Sequence, residues 1–440
     1  VFAGGCTLEA AEQICAQIAD GEQVAVGGAR LAPSLPPIDV DVLDTIGSLV
    51  DKSLVRQIES QDETRFVMLE TIREYAQLRL ATSGETQPLR RQHVAYYLDF
   101  AERAEPELAG PQQAEWLDRL EDEHDNFRAA LGWAIQAGGP ELAMRISGAL
   151  GRFWYARGYL TEGRNWLKSA LKSALAQQSE ADQSAQQTDL MVQAKALNLA
   201  GILAAVQIDY EDALACYTQS LEAARQIGDQ FSIARALINL GDISMNQEDF
   251  AQAHTYYSES LGIFQALKHR FGIAQALHNL GLTALHQEDY PLAKHYLEEA
   301  LALFKDNGDV YQIATLLSDL GELALAQRDY ARSRRLYIES LELRRELNSR
   351  DEIADCLESL ATVAGAMGYP ERAACLGGAV EALREALGTL LAPSERSTYE
   401  RAISSGRSQI SEAAWAAAWA EGRTMAIEQA IALAKESLTL

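Results

Sequence analysis

The chain has 440 residues, of which 48% are hydrophobic and 23% are charged, a composition typical of a soluble globular protein. At roughly 100–200 residues per domain, this length predicts about two to four domains, or fewer domains joined to a repeat array, and argues against a single compact domain. The 38 basic and 63 acidic residues give a formal charge of −25, which repels a phosphate backbone and argues against direct contact with nucleic acid.

The five cysteines form no CxxC pair and no short ligand cluster, so they are expected to be buried or bystander thiols in a reducing compartment. We find no apolar run of about 18 residues and no secretion-signal pattern. The sequence therefore predicts a cytoplasmic protein with no membrane partner. Because the chain begins at Val1 rather than at a methionine, we expect it to be part of a longer protein.

A helix over 42–50 and a hairpin of two short strands, 53–58 and 64–69, are predicted near the start of the chain. A second helix resumes through Ala76. Helix, strand, turn and strand in this order predict a winged-helix domain, truncated at its N-terminus, over residues 1–91.

The charges near the predicted hairpin argue about its partner. Between residues 41 and 92, seven basic side chains nearly balance nine acidic ones, so the wing is expected to contact protein rather than DNA. Residues 92–145 are predicted to form a helical arm. Its acidic run at 121–125 is expected to be a solvated charged face, because helical spacing spreads these side chains around the surface.

A repeat of 40 residues follows the arm. Five helical segments end in an aligned glycine or alanine, and a small residue recurs twelve positions later; the segments are 196–201, 236–241, 276–281, 316–321 and 356–361. Tyr217, Tyr257, Leu297 and Tyr337 occupy a further shared column. Small columns let paired helices approach closely, and large columns fill the space beside them.

This pattern resembles the tetratricopeptide repeat (TPR), whose usual period is about 34 residues. Six extra residues are expected to lengthen the second helix and its exit loop. A divergent first copy precedes the five regular ones, and the polar stretch 176–189 after it is expected to be a mobile loop. The sequence thus predicts an all-α fold: a right-handed TPR superhelix, or α-solenoid, over 146–385, followed by a helical cap over 386–440.

Three N-terminal motifs resemble the winged-helix segment of bacterial STAND regulators, the signal-transduction ATPases with numerous domains: VFAGG at 1–5, LVDKSLV at 49–55 and MLETIREYA at 68–76. The similarity continues at 123–131 in the arm and at 416–423. It implies an upstream P-loop ATPase module, in cis, that is switched when the helical sensor captures an inducer. This chain contains no P-loop motif. We therefore expect no cofactor and no enzymatic activity in it, with ATP or ADP bound only by the upstream module.

In TPR arrays the first helix of each hairpin lines the concave groove. Five columns, counted from the glycine, face it, and an asparagine two positions before the glycine is common in peptide-binding TPRs. The candidate ligand-binding residues are Lys195, Asn198, Arg235, Asn239, Asp242, Asn246, Gln275, His278, Asn279, His286 and Glu322.

The groove is expected to bind an inducer, which is a peptide, a protein or a polar small molecule. A constitutive protein-binding scaffold without a nucleotide switch is the alternative. An enzyme is the third hypothesis, against which the lack of a nucleophile, metal or paired-carboxylate constellation argues. His278 and His286 lie two helical turns apart, but zinc needs three or four converging ligands, so we expect ordinary wall histidines.

Overall fold

The structure is a computed structural model, in which the chain divides into two compact units, Val1–Ile243 and Ser244–Leu440. Both units are built mainly from paired α-helices, which confirms the predicted all-α, TPR-like class of fold. The residues that the structure describes are 1–16, 25–26, 29–30, 41–60, 63–108, 110, 112–137, 139–177, 183–388 and 406–436.

The first unit opens with a small antiparallel sheet in the order β1, β5, β4 and with a separate two-stranded ribbon, β2 and β3. Cys6 lies opposite Phe66, and Val55 lies opposite Met68. The predicted hairpin and its two flanking helices are confirmed, with strands shifted by up to two residues. The elements are β1 (Cys6–Thr7), α1 (Leu8–Ala16), β2 (Ala25–Val26), β3 (Ala29–Arg30), α2 (Val42–Asp51), β4 (Val55–Ser60), β5 (Glu63–Met68) and α3 (Glu70–Ser83).

Three helices of the arm follow, and the longest of them carries the core of this region. The arm consists of α4 (Thr86–Glu107), α5 (Gln113–Asp122) and α6 (His124–Gln136). Tyr97 and Phe100 of α4 pack against Phe127 of α6, with ring centroids 5.3 and 5.9 Å apart. Aromatic pairs at such distances add to the stabilisation from burial. The arm is therefore packed around α4.

Helical hairpins complete the first unit: α7 (Pro140–Arg157) with α8 (Leu160–Gln177), α9 (Gln183–Val206) with α10 (Tyr210–Ile227), and α11 (Gln230–Asn246). The prediction of a mobile loop over 176–189 was wrong at both ends, because α8 extends to Gln177 and α9 begins at Gln183. Residues 178–182 lie outside the described part of the chain. Alanine and glutamine are good helix formers, so this polar sequence supports helix even without a large apolar face.

The start of α9 also corrects the statement that no long apolar run exists. The window Asp189–Val206 is long and apolar enough to cross a membrane by length and composition, with a mean hydropathy of 1.3. In the structure 44% of this window is buried. It packs against α10 and α8, as a helix within the repeat hairpins.

The second unit continues the hairpins and ends in two helices of the predicted cap. Trp415 and Trp419 lie on one face of a cap helix, as predicted, with ring centroids 6.1 Å apart. Residues 389–405 of that cap lie outside the described residues. The helices are α12 (Phe250–Ala266), α13 (Arg270–His286), α14 (Tyr290–Asn307), α15 (Val310–Ala326), α16 (Tyr330–Glu346), α17 (Arg350–Ala366), α18 (Pro370–Leu387), α19 (Glu412–Arg423) and α20 (Ile427–Lys435).

The turns between the helices share one form from residue 208 to residue 388. A residue with positive φ stands at every twentieth position: Ile208, Gly228, Glu248, Lys268, Glu288, Gly308, Arg328, Asn348, Gly368 and Gly388. In most turns the next residue caps the following helix; Asp289, for example, accepts a hydrogen bond from the backbone N–H of Leu292. Because α11, α12 and α13 each have 17 residues, the six extra residues are shared between both helices. The prediction that they lengthen the second helix and its exit loop was wrong.

Packing within each hairpin depends on the glycine column. A Cβ atom added to Gly201 would lie 2.5 Å from the Tyr217 ring, and one added to Gly281 would lie 2.7 Å from the Leu297 side chain. Only glycine admits these contacts. The predicted small-residue column therefore lets the large side chain of the second helix lie directly on the first.

The left-handed turn residues allow a reciprocal test in the second unit. Gly308→Ala adds a Cβ that meets nothing within 4 Å, so its cost is conformational, and we expect a loss of about 1 kcal/mol in the free energy of unfolding. Glu288→Gly relieves the same strain and is expected to gain up to about 1 kcal/mol. Urea unfolding followed by circular dichroism measures both. Equal shifts in the same direction would contradict the account.

A buried polar network ties the N-terminal segment to the arm. The Glu123 side chain, only 4% exposed, forms an ion pair with Arg65. The same carboxylate accepts hydrogen bonds from Tyr97 Oη at 2.7 Å and Asn126 Nδ2 at 2.6 Å. Asn126 also donates to the Gly5 carbonyl at 2.8 Å. One carboxylate thus joins β5, α4, α6 and the first residues of the chain.

This network overturns the prediction of a solvated acidic face at 121–125. Glu123 and His124 are both buried. The physical reason is that α5 ends at Asp122 and α6 begins at His124. Glu123 therefore lies at a junction between two helices, where spacing along one helix does not describe which way side chains point.

Removing the cation of this network is expected to be costly. Arg65→Met leaves the Glu123 carboxylate buried without its counter-charge, and we expect a loss of about 3–5 kcal/mol of unfolding free energy. Arg103→Met is the matched control, because Arg103 pairs with Asp99 at the surface, and we expect a loss of less than about 1 kcal/mol. Chemical denaturation of the two variants measures both values, and similar losses would contradict the structural role of the pair.

Candidate functional site

The first-unit candidates surround a hollow of about 460 Å³. Lys195, Asn198 and Arg235 line it, as does Arg145 of α7. We call it the Arg235 hollow. Its acidic wall contains Glu102 of α4 and Glu141 of α7, and its apolar wall contains Met144, Met191 and Val192. A cavity of this size is within the range of small-ligand and short-peptide sites.

Three cations form a row along this hollow. Arg145, Lys195 and Arg235 stand at the same position, six residues before the small-residue column, on α7, α9 and α11. Arg145 pairs with Glu102 at 2.7 Å, and Lys195 pairs with Glu105 at 2.6 Å. Both carboxylates belong to α4. The arm therefore neutralises the first two cations of the row.

The third cation, Arg235, is not neutralised in this way. Within the described residues its guanidinium makes no ion pair or hydrogen bond, and its recorded contact is with the Phe231 ring, 5.8 Å from the centroid. Desolvation lowers the pKa of Arg235, while Glu105 and Asp229 act in the opposite direction. The side chain keeps some solvent access, and a guanidinium stays charged at neutral pH. It offers donors to a ligand.

Two other first-unit candidates serve packing between helices. Asn239 Nδ2 donates to Asn198 Oδ1 at 2.7 Å, which joins α9 to α11. Burial and the negative charge of Asp242 raise the pKa of Tyr217. Of these residues, Asn198 alone contributes to the walls of the hollow.

The second unit repeats the helix-to-helix bond with different side chains. His278 Nε2 lies 2.6 Å from Asp319 Oδ2, which joins α13 to α15. Burial raises the pKa of Glu322, and the Asp319 charge raises it further. His286 stacks on the Phe250 ring at 5.4 Å. Gln275 and Asn279 are half-buried on α13.

Sequence reasoning missed the acidic side of both sites. Asp319 occupies the column in which Asn239 and Asn279 were selected, so its position was available from the sequence. Arg145 likewise stands in the column of Lys195 and Arg235, within the divergent first repeat. Glu102 and Glu105 carry no such signal, because they reach the hollow from a helix outside the repeats.

Comparison with known proteins supports the repeat assignment. Models of the tetratricopeptide repeat match residues 192–266, 232–306 and 313–351. These segments are TPRs, as the sequence predicted. The chain therefore carries a TPR region, an α-solenoid of the class that provides surfaces for protein or peptide interaction.

Relatives and similar folds come from several organisms. Proteins named as HTH-type transcriptional regulators in Mycobacterium bovis and Mycobacterium tuberculosis are 32% identical over 194 residues, which is 44% of this chain and 21% of theirs. The match thus spans about a fifth of the length of these relatives.

Two solved structures are similar in fold. A STAND protein with a TPR sensor from Pyrococcus horikoshii has a TM-score of 0.47 and 14% identity, covering 88% of this chain and 58% of that one. A Rap protein in complex with competence and sporulation factor has a TM-score of 0.49 and 12% identity, covering 83% and 96%.

Proposed function

We propose that this chain is the ligand- or protein-sensing region of a STAND-type signal-transduction and transcription regulator. It captures an inducer on the faces of the first TPR helices and relays the event to a nucleotide-switch module in another part of the parent protein. The observation that carries this proposal is the Arg235 hollow, in which a charged, unneutralised guanidinium stands among polar and apolar walls. The relatives named as transcriptional regulators support the regulatory role.

A route for the relay exists inside the first unit. Glu105 of α4 pairs with Lys195 at the hollow, and Tyr97 of the same helix donates to the buried Glu123 carboxylate. The two residues lie eight positions apart, or about 12 Å along the helix axis. A ligand that displaces α4 at the hollow would therefore act on the network that holds β5 and the N-terminal segment.

The proposal assigns a role to each part of the chain. Residues 1–91 are the winged-helix segment, 92–145 the arm, 146–385 the TPR superhelix and 386–440 its cap. The protein acts in the cytoplasm, and this chain has no direct contact with DNA. The proposed contacts are Lys195, Asn198 and Arg235 in the first unit, with Gln275, Asn279 and Glu322 tested separately in the second.

The capture of an inducer can be tested on the purified chain. Mass spectrometry identifies the peptides and small molecules that co-purify with it, and capture is then compared between the wild type and Arg235→Glu. We expect capture to be lost while the free energy of unfolding changes by less than about 0.5 kcal/mol, as for other surface substitutions. Arg79→Glu, an exposed position on α3, is the control with the same charge change.

Retention of the co-purified molecule by Arg235→Glu would place capture elsewhere and refute this site. Asn279→Ala asks the same question of the second unit. The sequence of the parent gene separates the sensor from the constitutive scaffold. An encoded P-loop upstream of Val1 is expected, and its absence would favour the scaffold.

A further inference from the structure

The cations of the Arg235 hollow outnumber the carboxylates that α4 supplies. Glu102 and Glu105, three residues apart on one face of α4, cover Arg145 and Lys195. The helix then ends at Glu107. Arg235 is the next cation in the row, and the hollow continues to it. The chain thus places its own acidic helix on two of the three cationic positions.

We propose that Arg235 binds a side-chain carboxylate of an acidic peptide, which continues the row of carboxylates that α4 begins. This inference rests on the proposed function and specifies the chemistry of its ligand. A guanidinium binds a carboxylate through two parallel N–H···O bonds, a geometry that a neutral amide does not reproduce. Met144 and Val192, in the apolar wall, accommodate the aliphatic part of the peptide.

The charges around the hollow set the direction of the ligand. Near Arg145 stand two carboxylates, those of Glu102 and Glu141, the latter 3.9 Å away. At the opposite end, the nearby Asp229 carboxylate accepts hydrogen bonds from the N–H groups of Phe231 and Ser232 at the start of α11. The helix terminus therefore occupies Asp229, and the Arg235 end is the better site for an anion.

The net charge of the chain favours a site-specific interaction. A protein with a formal charge of −25 repels polyanions from most of its surface. An acidic peptide would therefore bind only where cations are locally in excess. Binding should weaken with added salt and depend on Arg235.

The pair between Lys195 and Glu105 gives a variant with the opposite effect. Glu105→Gln removes the carboxylate that neutralises Lys195 and leaves two adjacent cations open to the ligand. Both side chains of this pair are partly exposed, so the change is tolerated by the fold. It should strengthen the binding of an acidic peptide.

The test uses the full chain and fluorescence anisotropy of the labelled peptide acetyl-Gly-Glu-Glu-Glu-Gly-amide, with the Gln-Gln-Gln peptide as a control. We expect the glutamate peptide to bind the wild type and the glutamine peptide to bind at least about tenfold more weakly. Arg235→Gln should weaken binding of the glutamate peptide about tenfold. Glu105→Gln should tighten it several-fold, and Arg79→Gln should leave it unchanged. Thermal melts check that each variant is folded.

Three results would overturn the proposal: no binding of the glutamate peptide to the wild type, equal binding of the two peptides, or unchanged binding to a folded Arg235→Gln. A glycine peptide with a free carboxyl terminus completes the test. If it binds as tightly as the glutamate peptide, the recognised group is a chain terminus and the side-chain assignment is wrong. Failure here, with co-purified ligand still captured through Arg235, would refute the ligand class and leave the proposed function standing.

Discussion

A three-residue turn with one left-handed residue governs the repeat region. Because this turn recurs every 20 residues from 208 to 388, each helix has room for 17 or 18 residues and no more. Fixed helix length brings the small and large columns of each hairpin into register, as at Gly201 and Tyr217. The same spacing sets Arg145, Lys195 and Arg235 in one row only after the divergent first repeat is aligned on its own glycine. Site geometry thus follows from turn geometry.

Local and periodic features of this chain could be predicted from its sequence. The columns of the TPR hairpins depend on spacing along one chain segment, and so does the hairpin of β4 and β5. Errors arose where a different level of structure decided the outcome. Residues 176–189 are polar, yet their helix propensity extends α8 and α9. Glu123 belongs to an acidic run, yet its position between two helices directs it into a buried network.

The candidate site was predictable in its cations and not in its carboxylates. Counting columns found Lys195 and Arg235, because both lie on the repeated first helix. Glu105 reaches Lys195 from 90 residues away, and no periodicity in the sequence reports such a contact. Column counting also selected Asn198, Asn239 and His278, which bond to neighbouring helices. A column therefore identifies a face of a helix, and only the structure shows which of its side chains are already engaged.

The uniform turn has an evolutionary consequence. Two turns and two helices make one unit of 40 residues, and each unit carries its own caps, such as Asp289 and Asp329. Unequal crossing-over between two copies in the gene would add or delete a unit while leaving every remaining cap and turn intact. The array can change its length in whole steps, and the hollow at its N-terminal end would keep its three cations throughout.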